Sequence, residues 1–310
     1  MPAGAVLFIF QFFPVGYAFY ISLHEWKIKK GAFIGLSHYS KVLGDPHFWG
    51  SFKVTIFYVL GTVPFTIVIS LILAYLLFQN IRGRGFYRTV YFLPYITSSA
   101  AAAAVWAALI FNGNPQRGIA NQVLDLLGIG SQRWLTEPTG IFALVLGYFG
   151  IGVPGWAEGP SLALVTIMTY VIWHYVGFDT VIFLAGLVNI PGELYDAAKI
   201  DGAGRWGLFR HITLPLLSPT TFFIVLIATI GYFQAFTNIF VMNRAAAVDT
   251  GGPLGTTATA TVYLYRWFIG EYGSPNMGYA AAIAFVLFGV ILLLTFLQFR
   301  IGERRVHYGE

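Results

Sequence analysis

Uncharged apolar windows of about 20 residues recur along this chain, the length a helix needs to cross hydrocarbon with every backbone N–H and C=O satisfied inside the segment. Six windows meet the requirement, the fourth of them interrupted by His174 and Asp179: 3–23, 54–80, 89–111, 161–187, 215–242 and 278–299. They read as an all-α, polytopic membrane protein, a single domain over 1–310 with six transmembrane helices. A seventh window, 141–156, holds Gly147, Gly150, Gly152, Pro154 and Gly155 within 16 residues, too many helix breakers for a lone span. Composition agrees. Of the 310 residues 57% are hydrophobic and 10% charged, whereas water-soluble domains carry about a quarter charged residues.

Basic residues orient the bundle. Nine of the 18 Lys and Arg sit in three segments that six spans place on one side: 81–88 (Arg82, Arg84, Arg88), 188–214 (Lys199, Arg205, Arg210) and the tail (Arg300, Arg304, Arg305). The rest are spread over longer connections at about half the density, with Lys27, Lys29, Lys30, Lys41 and Lys53 in the first of them, so the first side is expected to be cytoplasmic. A spanning seventh segment would separate 81–88 from 188–214, so 141–156 is expected to be an outer-side helix or a re-entrant element. The first window lacks a basic n-region and a small-residue cleavage site, which predicts a retained helix bent at Pro14 rather than a signal peptide. No block of like charge accompanies the net charge of +5, so the excess speaks for topology and against nucleic acid.

Catalytic chemistry is poorly supplied. Zero cysteines exclude disulfides, thiol nucleophiles and thiolate metal sites, and the six histidines show no two-histidine helical spacing beside carboxylates. The dipeptide Gly-Lys is absent, so there is no Walker A loop to cradle phosphates. No cofactor is expected on this chain.

The most informative segment lies between the fourth and fifth spans: Asn189-Ile-Pro-Gly-Glu-Leu-Tyr-Asp-Ala-Ala-Lys-Ile-Asp-Gly-Ala-Gly-Arg-Trp-Gly-Leu-Phe-Arg-His-Ile-Thr-Leu-Pro215. Pro191 suits a first helical turn, and Glu193 and Asp196 place negative charge near that helix's positive end. Ala197 and Ala198 leave a small face, and Gly202 and Gly204 permit a turn that a Cβ would resist. A second helix then puts Leu208, Phe209 and Ile212 on one stripe, with Arg205 and Arg210 elsewhere on its surface. Pro215 is expected to open the fifth span. An amphipathic pair lying on lipid headgroups is the plainer reading.

This stretch resembles the EAA loop of binding-protein-dependent ABC importer permeases. Asp196-Ala197-Ala198, Asp201-Gly202-Ala203, Phe209, Ile212 and Leu214-Pro215 stand where that motif has its fixed residues. Phe33-Ile34-Gly35-Leu36-Ser37-His38-Tyr39, then Asp45-Pro46 and Phe48-Trp49, are similar to the family's outer-loop pattern. Gly251-Gly252-Pro253, Thr256-Thr257 and Tyr263-Leu264-Tyr265 look like the loop before its last span, and 304–308 looks like its tail. Within the family the set is most similar to maltose-type and glycerol-3-phosphate-type sugar permeases. Two departures stand out: Asp196 replaces the usual glutamate, shortening its reach, and 141–156 has no clear counterpart.

The resemblance implies an ABC importer type I permease fold working with a second homologous permease, two ATPase subunits holding ATP and Mg²⁺, and an extracytoplasmic sugar-binding protein. It implies that the 192–213 helix pair docks in an ATPase groove. Asp196 would pair with a basic residue there, Gly202 would set the turn, and Ala197 and Ala198 would allow close approach. Asp201, Ala203, Arg205 and Phe209 complete the expected coupling set.

Polar groups inside spans face the bundle interior or an aqueous path, which singles out Trp173, His174, Asp179 and Thr180 in the fourth span and Gln234 and Asn238 in the fifth. Gln234 and Asn238 are expected to share a helix face. Matching the family's sugar contacts through the Gly-Phe of the fourth span and the Phe-x-Asn of the fifth points to Trp173, Gly177 and Thr180, and to Gly231, Gln234 and Asn238. An aromatic plate with amide donors and acceptors suits a neutral hydroxylated ligand. Each of these side chains also serves as ordinary interhelical glue or interfacial anchor. His174 reads as a packing residue, and the run Ala100–Ala104 as a close helix contact. The lysines of 24–53 suit either an acidic binding protein or plain solvation.

An ion-coupled secondary transporter is the nearest rival, but such carriers show repeats and several midplane acids; here there is one, Asp179, and no repeat. A membrane-embedded enzyme would need convergent catalytic groups, and no paired carboxylates lie in or beside a span.

Overall fold

The computed structural model describes residues 2–79, 81–112 and 118–302. Asn80, Arg304, Arg305 and the 304–308 tail lie outside the described residues. Among the described residues four helices are long and apolar enough to cross a bilayer unaided: Ala3–Ser22, Pro46–Phe78, Leu162–Val188 and Met277–Gly302. Two bent pairs bring the candidate spans to six: Arg84–Ile96 with Ser99–Ile110, at 95°, and Arg205–Leu216 with Ser218–Phe233, at 61°.

The expected windows are corrected in three places. The helix that carries the second span starts at Pro46, ahead of the expected 54, because Asp45 accepts the His47 N–H at 2.9 Å and Pro46 takes the first turn. At 1.5 Å per residue it rises about 50 Å, so its first turns, with Lys53, stand outside a hydrocarbon core of about 30 Å. The third span is an elbow rather than one helix. Thr97 returns its hydroxyl to the Pro94 carbonyl at 2.7 Å, and the Ser98 hydroxyl caps the second limb. The fifth span breaks twice: at Leu217, two residues beyond Pro215, and again at 234–236 before the helix Thr237–Ala245.

Leu162–Val188 is the central helix and packs most extensively along Pro46–Phe78, then along Arg84–Ile96. Ser161 caps it through the Leu164 N–H at 3.1 Å, and Ser70 donates across the main contact to the Val176 carbonyl at 2.9 Å. Tyr58, Ile167, Tyr170 and Val171 are fully buried between these helices. The alanine run does bring helices together: Ser99–Val105 packs on Thr237–Ala245, with Ala103 fully buried.

Two of the prolines follow wide helical turns. At Phe8–Phe12 and Phe209–Thr213 the following N–H, of Phe13 and Leu214, bonds five residues back to Phe8 and Phe209. Pro14 and Pro215 come next. A proline ring clashes with the carbonyl four residues behind it in a regular helix, and one surplus residue per turn moves that carbonyl aside.

One end of the bundle is closed by Leu77, Leu184, Leu187, Ile190 and Leu217. The basic segments meet there: Arg88 shares a cavity with Asn189, and Phe222 stacks edge-on with Phe299 at 5.4 Å, next to Arg300.

The opposite end carries a short antiparallel hairpin, His24–Trp26 with Lys30–Phe33, and the helix Ser37–Leu43. The resemblance motifs of this end prove to be internal joints. Gly35 takes φ +57° at the turn, Tyr39 and Ser22 share a hydroxyl hydrogen bond of 2.6 Å, and Trp49 donates to the Leu43 carbonyl at 2.8 Å. Asp45 Oδ2 accepts from Tyr263 at 2.5 Å and from Tyr279 at 2.8 Å. Burial alone would raise the Asp45 carboxyl, but these hydrogen bonds outweigh it and hold the group below its ordinary range. A Cβ on Gly278 would collide with the His24 carbonyl and the His38 ring, so the last span seats tightly under the hairpin. Nearby, Arg266 bridges Asp249 at 2.9 Å and Glu271 at 3.1 Å.

Residues 141–156 form an eight-residue helix, Ile141–Tyr148, followed by an irregular stretch. Phe142, Val145, Tyr148, Phe149 and Trp156 are exposed on it. A rise of about 12 Å does not cross a bilayer.

Candidate functional site

Two regions hold the sequence-derived candidates: the loop at the Leu187–Leu217 end, and the breaks in the third and fifth spans.

The loop is a helix, Gly192–Ile200, a tight reversal, and a second helix from Arg205. Its reversal is a Schellman turn. The Ala203 N–H bonds the Ala198 carbonyl at 2.9 Å and the Gly202 N–H bonds the Lys199 carbonyl at 3.0 Å, with Gly202 at φ +82°. Only a residue without a Cβ takes that conformation without strain, which explains the Asp201-Gly202-Ala203 sequence in local terms. Tyr195 and Thr213 join the two helices through hydroxyls 3.0 Å apart. Phe209 packs edge-on against Tyr75 at 4.9 Å, fastening the second helix to the second span. Ile212 and Tyr195 rest on the apolar cluster of that end.

The tip is left open. Asp196, Ala197, Asp201, Gly202 and Arg205 are exposed, and Ala198, Ala203 and Phe209 are half-buried. Asp196 pairs within its own helix with Lys199, at 2.9 Å. Ile200 and Trp206, which sequence reasoning passed over, are 88% and 68% exposed and flank the reversal. Their position on either side of a positive-φ glycine was the available signal.

At the breaks, the expected sugar contacts part company. Trp173 is 38% exposed and packs tilted against Trp106 at 4.8 Å, within a cluster that includes Tyr170. Gly177 lies against the backbone of the elbow limb: a side chain there would strike the Tyr91 carbonyl. Thr180 is buried, donates to the Val176 carbonyl at 2.6 Å and faces Ser70. Gly177 and Thr180 are thus close-crossing positions in this conformation, one against the third span and one against the second.

Gly231 is open-faced and lines a cleft of about 290 Å³ with Tyr95, Tyr175, Phe178, Asp179 and Tyr232. Gln234 and Asn238 do not share a helix face, because the helix ends at Phe233 and restarts at Thr237. Gln234 is exposed at the break, whereas Asn238 is buried and hydrogen-bonded to the Ser99 hydroxyl at the start of the elbow's second limb. The freed Ala235 carbonyl accepts from Thr259 at 3.2 Å and Thr261 at 3.0 Å. Non-helical backbone at membrane depth is tolerated where protein satisfies it in this way. His174 is buried between Tyr95, Tyr170 and Tyr175, as a packing residue.

The two broken spans therefore touch at their breaks, through Ser99 and Asn238, beside an aromatic cleft bearing one carboxylate. Discontinuous helices meeting at a path are a recurring design of membrane transport proteins.

Residues 47–307 match the family described as binding-protein-dependent transport system inner membrane component. A probable ABC transporter permease protein of Pyrococcus horikoshii is 30% identical, covering 98% of this chain and 95% of its own. The lactose transport system permease protein of Rhizobium radiobacter is also 30% identical, over 98% of this chain and 92% of that one. Among solved structures, a bacterial ABC transporter that imports the acidic polysaccharide alginate superposes with a TM-score of 0.75 at 20% identity, over 98% of this chain and 93% of that one.

Proposed function

Because the chain belongs to the family of binding-protein-dependent transport system inner membrane components, we propose that it is a permease subunit of an ATP-driven sugar importer. It is a multi-pass component of the inner membrane, and membership removes the ion-coupled carrier as an alternative. Its working partners are a second homologous permease, two ATPase subunits and an extracytoplasmic sugar-binding protein. ATP and Mg²⁺ are held by the ATPase subunits.

The observation that carries this reading is the exposed, internally stapled reversal at 192–213. An element fixed to its own bundle by Phe209, Tyr195 and Ile212, yet open at Ile200, Gly202 and Trp206, is suited to pass a push inward. The 205–216 segment runs on through a 61° bend into Ser218–Phe233. Motion of the ATPase pair would thereby reach the break at 234–236 and, through Asn238 and Ser99, the elbow of the third span. Rigid-body transmission of this kind is a common form of switching. This chain supplies half of the path, and its cargo is a saccharide, as for the lactose permease to which it is similar.

The test is Gly202→Val in the assembled transporter. A β-branched residue at φ +82° distorts the reversal, and its Cβ meets nothing within 4 Å. Membrane insertion should stay normal while ATPase association and sugar uptake are lost. Uptake at the wild-type rate would overturn the coupling role.

A further inference from the structure

Family membership leaves the electrical character of the cargo open, and one side chain addresses it. Asp179 lies about two and a half turns from the cytoplasmic end of the central helix, about 14 Å inside at 1.5 Å per residue. It is 6% exposed and lines the cleft bounded by Tyr95, Tyr175, Phe178, Gly231 and Tyr232. Among the described residues no hydrogen bond or ion pair reaches it; the ion pairs all lie elsewhere. At such depth a carboxyl group keeps its charge only where it meets water, a partner or a ligand. The cleft wall offers it no cation, and Phe223 and Ile227 at its margin are exposed, so this chain alone does not close the cleft.

We propose that Asp179 is the charge filter of this half of the translocation path, admitting neutral and amino-bearing saccharides and turning away acidic ones. This filter rests on the sugar-importer reading and sharpens it. Tyrosine and phenylalanine rings stack on sugar faces regardless of charge. The lone carboxylate accepts hydrogen bonds from hydroxyl or ammonium groups and repels a uronate at the same position. Asp179 is thus a specificity residue, distinct from the elements that transmit the ATPase stroke.

The experiment uses the complete transporter in proteoliposomes, with lactose, cellobiose and maltose each offered beside its mono-uronate. Uptake is measured with ATP, and binding to the permease complex without the binding protein is followed by tryptophan fluorescence. Wild type should favour the neutral member by at least tenfold in either readout. Asp179→Asn, which keeps the shape, should bring the ratio within twofold, and Asp179→Glu should restore it. A wild-type ratio near one, or a ratio that Asp179→Asn leaves standing, overturns the filter while leaving sugar import intact. Absence of ATP-driven uptake and of binding for every saccharide would sink the sugar reading, and the filter with it.

Discussion

Two aspartates at opposite ends of the molecule, both within family-like motifs, are held in opposite ways. Asp45 caps the longest helix and receives two tyrosine hydroxyls from segments more than 200 residues away in sequence. Asp196 has a 73% exposed side chain and pairs with Lys199, one turn along its own helix. The first motif is consumed in building the fold, and the second is displayed. Resemblance alone does not separate these cases; the fate of each polar atom does.

Three substitutions test the contrast, beginning with the largest effect. Asp45→Ala removes a cap and two charge-assisted hydrogen bonds, and should cost about 3–5 kcal/mol, read as a marked fall in the unfolding temperature of the purified complex. The carboxylate's contribution has a definite pH course. Its folded pKa is depressed, so the stabilisation is present at neutral pH and fades only as pH falls below the ordinary value of 3.8. An Asp45→Ala protein that melts like wild type at pH 7 would erase the distinction between the two ends.

Gly278→Ala comes next. The added methyl meets the His24 carbonyl and His38, and overpacking of this kind costs about 1–3 kcal/mol. Thermal unfolding should show it, with ATPase affinity unchanged. The smallest change in stability belongs to Asp196→Ala, since exposed ion pairs contribute about 0–1 kcal/mol. There the assay to watch is ATPase binding, which should weaken while the melting curve stays put. Equal losses in both assays would mean that the inner motif is structural too.

The sequence made the spans legible, because a run of apolar residues long enough for hydrocarbon has few other uses. It hid their breaks. Hydropathy averages across Thr97-Ser98 and across Gln234-Ala235-Phe236, and the groups that satisfy the Ala235 carbonyl, Thr259 and Thr261, come from a later loop. That is why Gln234 and Asn238 were expected on one helical face. Ser98 before the alanine run was a readable cap signal that the apolar window outweighed. The early start of the second span was equally readable in Asp45-Pro46, but Lys53 disguises a helix that continues beyond the membrane. The reversal at Gly202 was foreseeable because its geometry is local, whereas the cleft of Tyr95, Tyr175, Asp179 and Tyr232 draws on three separate spans.

The wide turn at Phe209–Thr213 has one more implication, concerning azimuth. Each residue advances a helix by about 100°, and the turn holds one more than a regular helix would. That surplus residue sets how the ring resting on Tyr75 is clocked against Gly231 and Tyr232 farther along. A version of this protein one residue shorter there would keep its hydropathy profile and its inner reversal, yet point the far half of the shaft in a different compass direction.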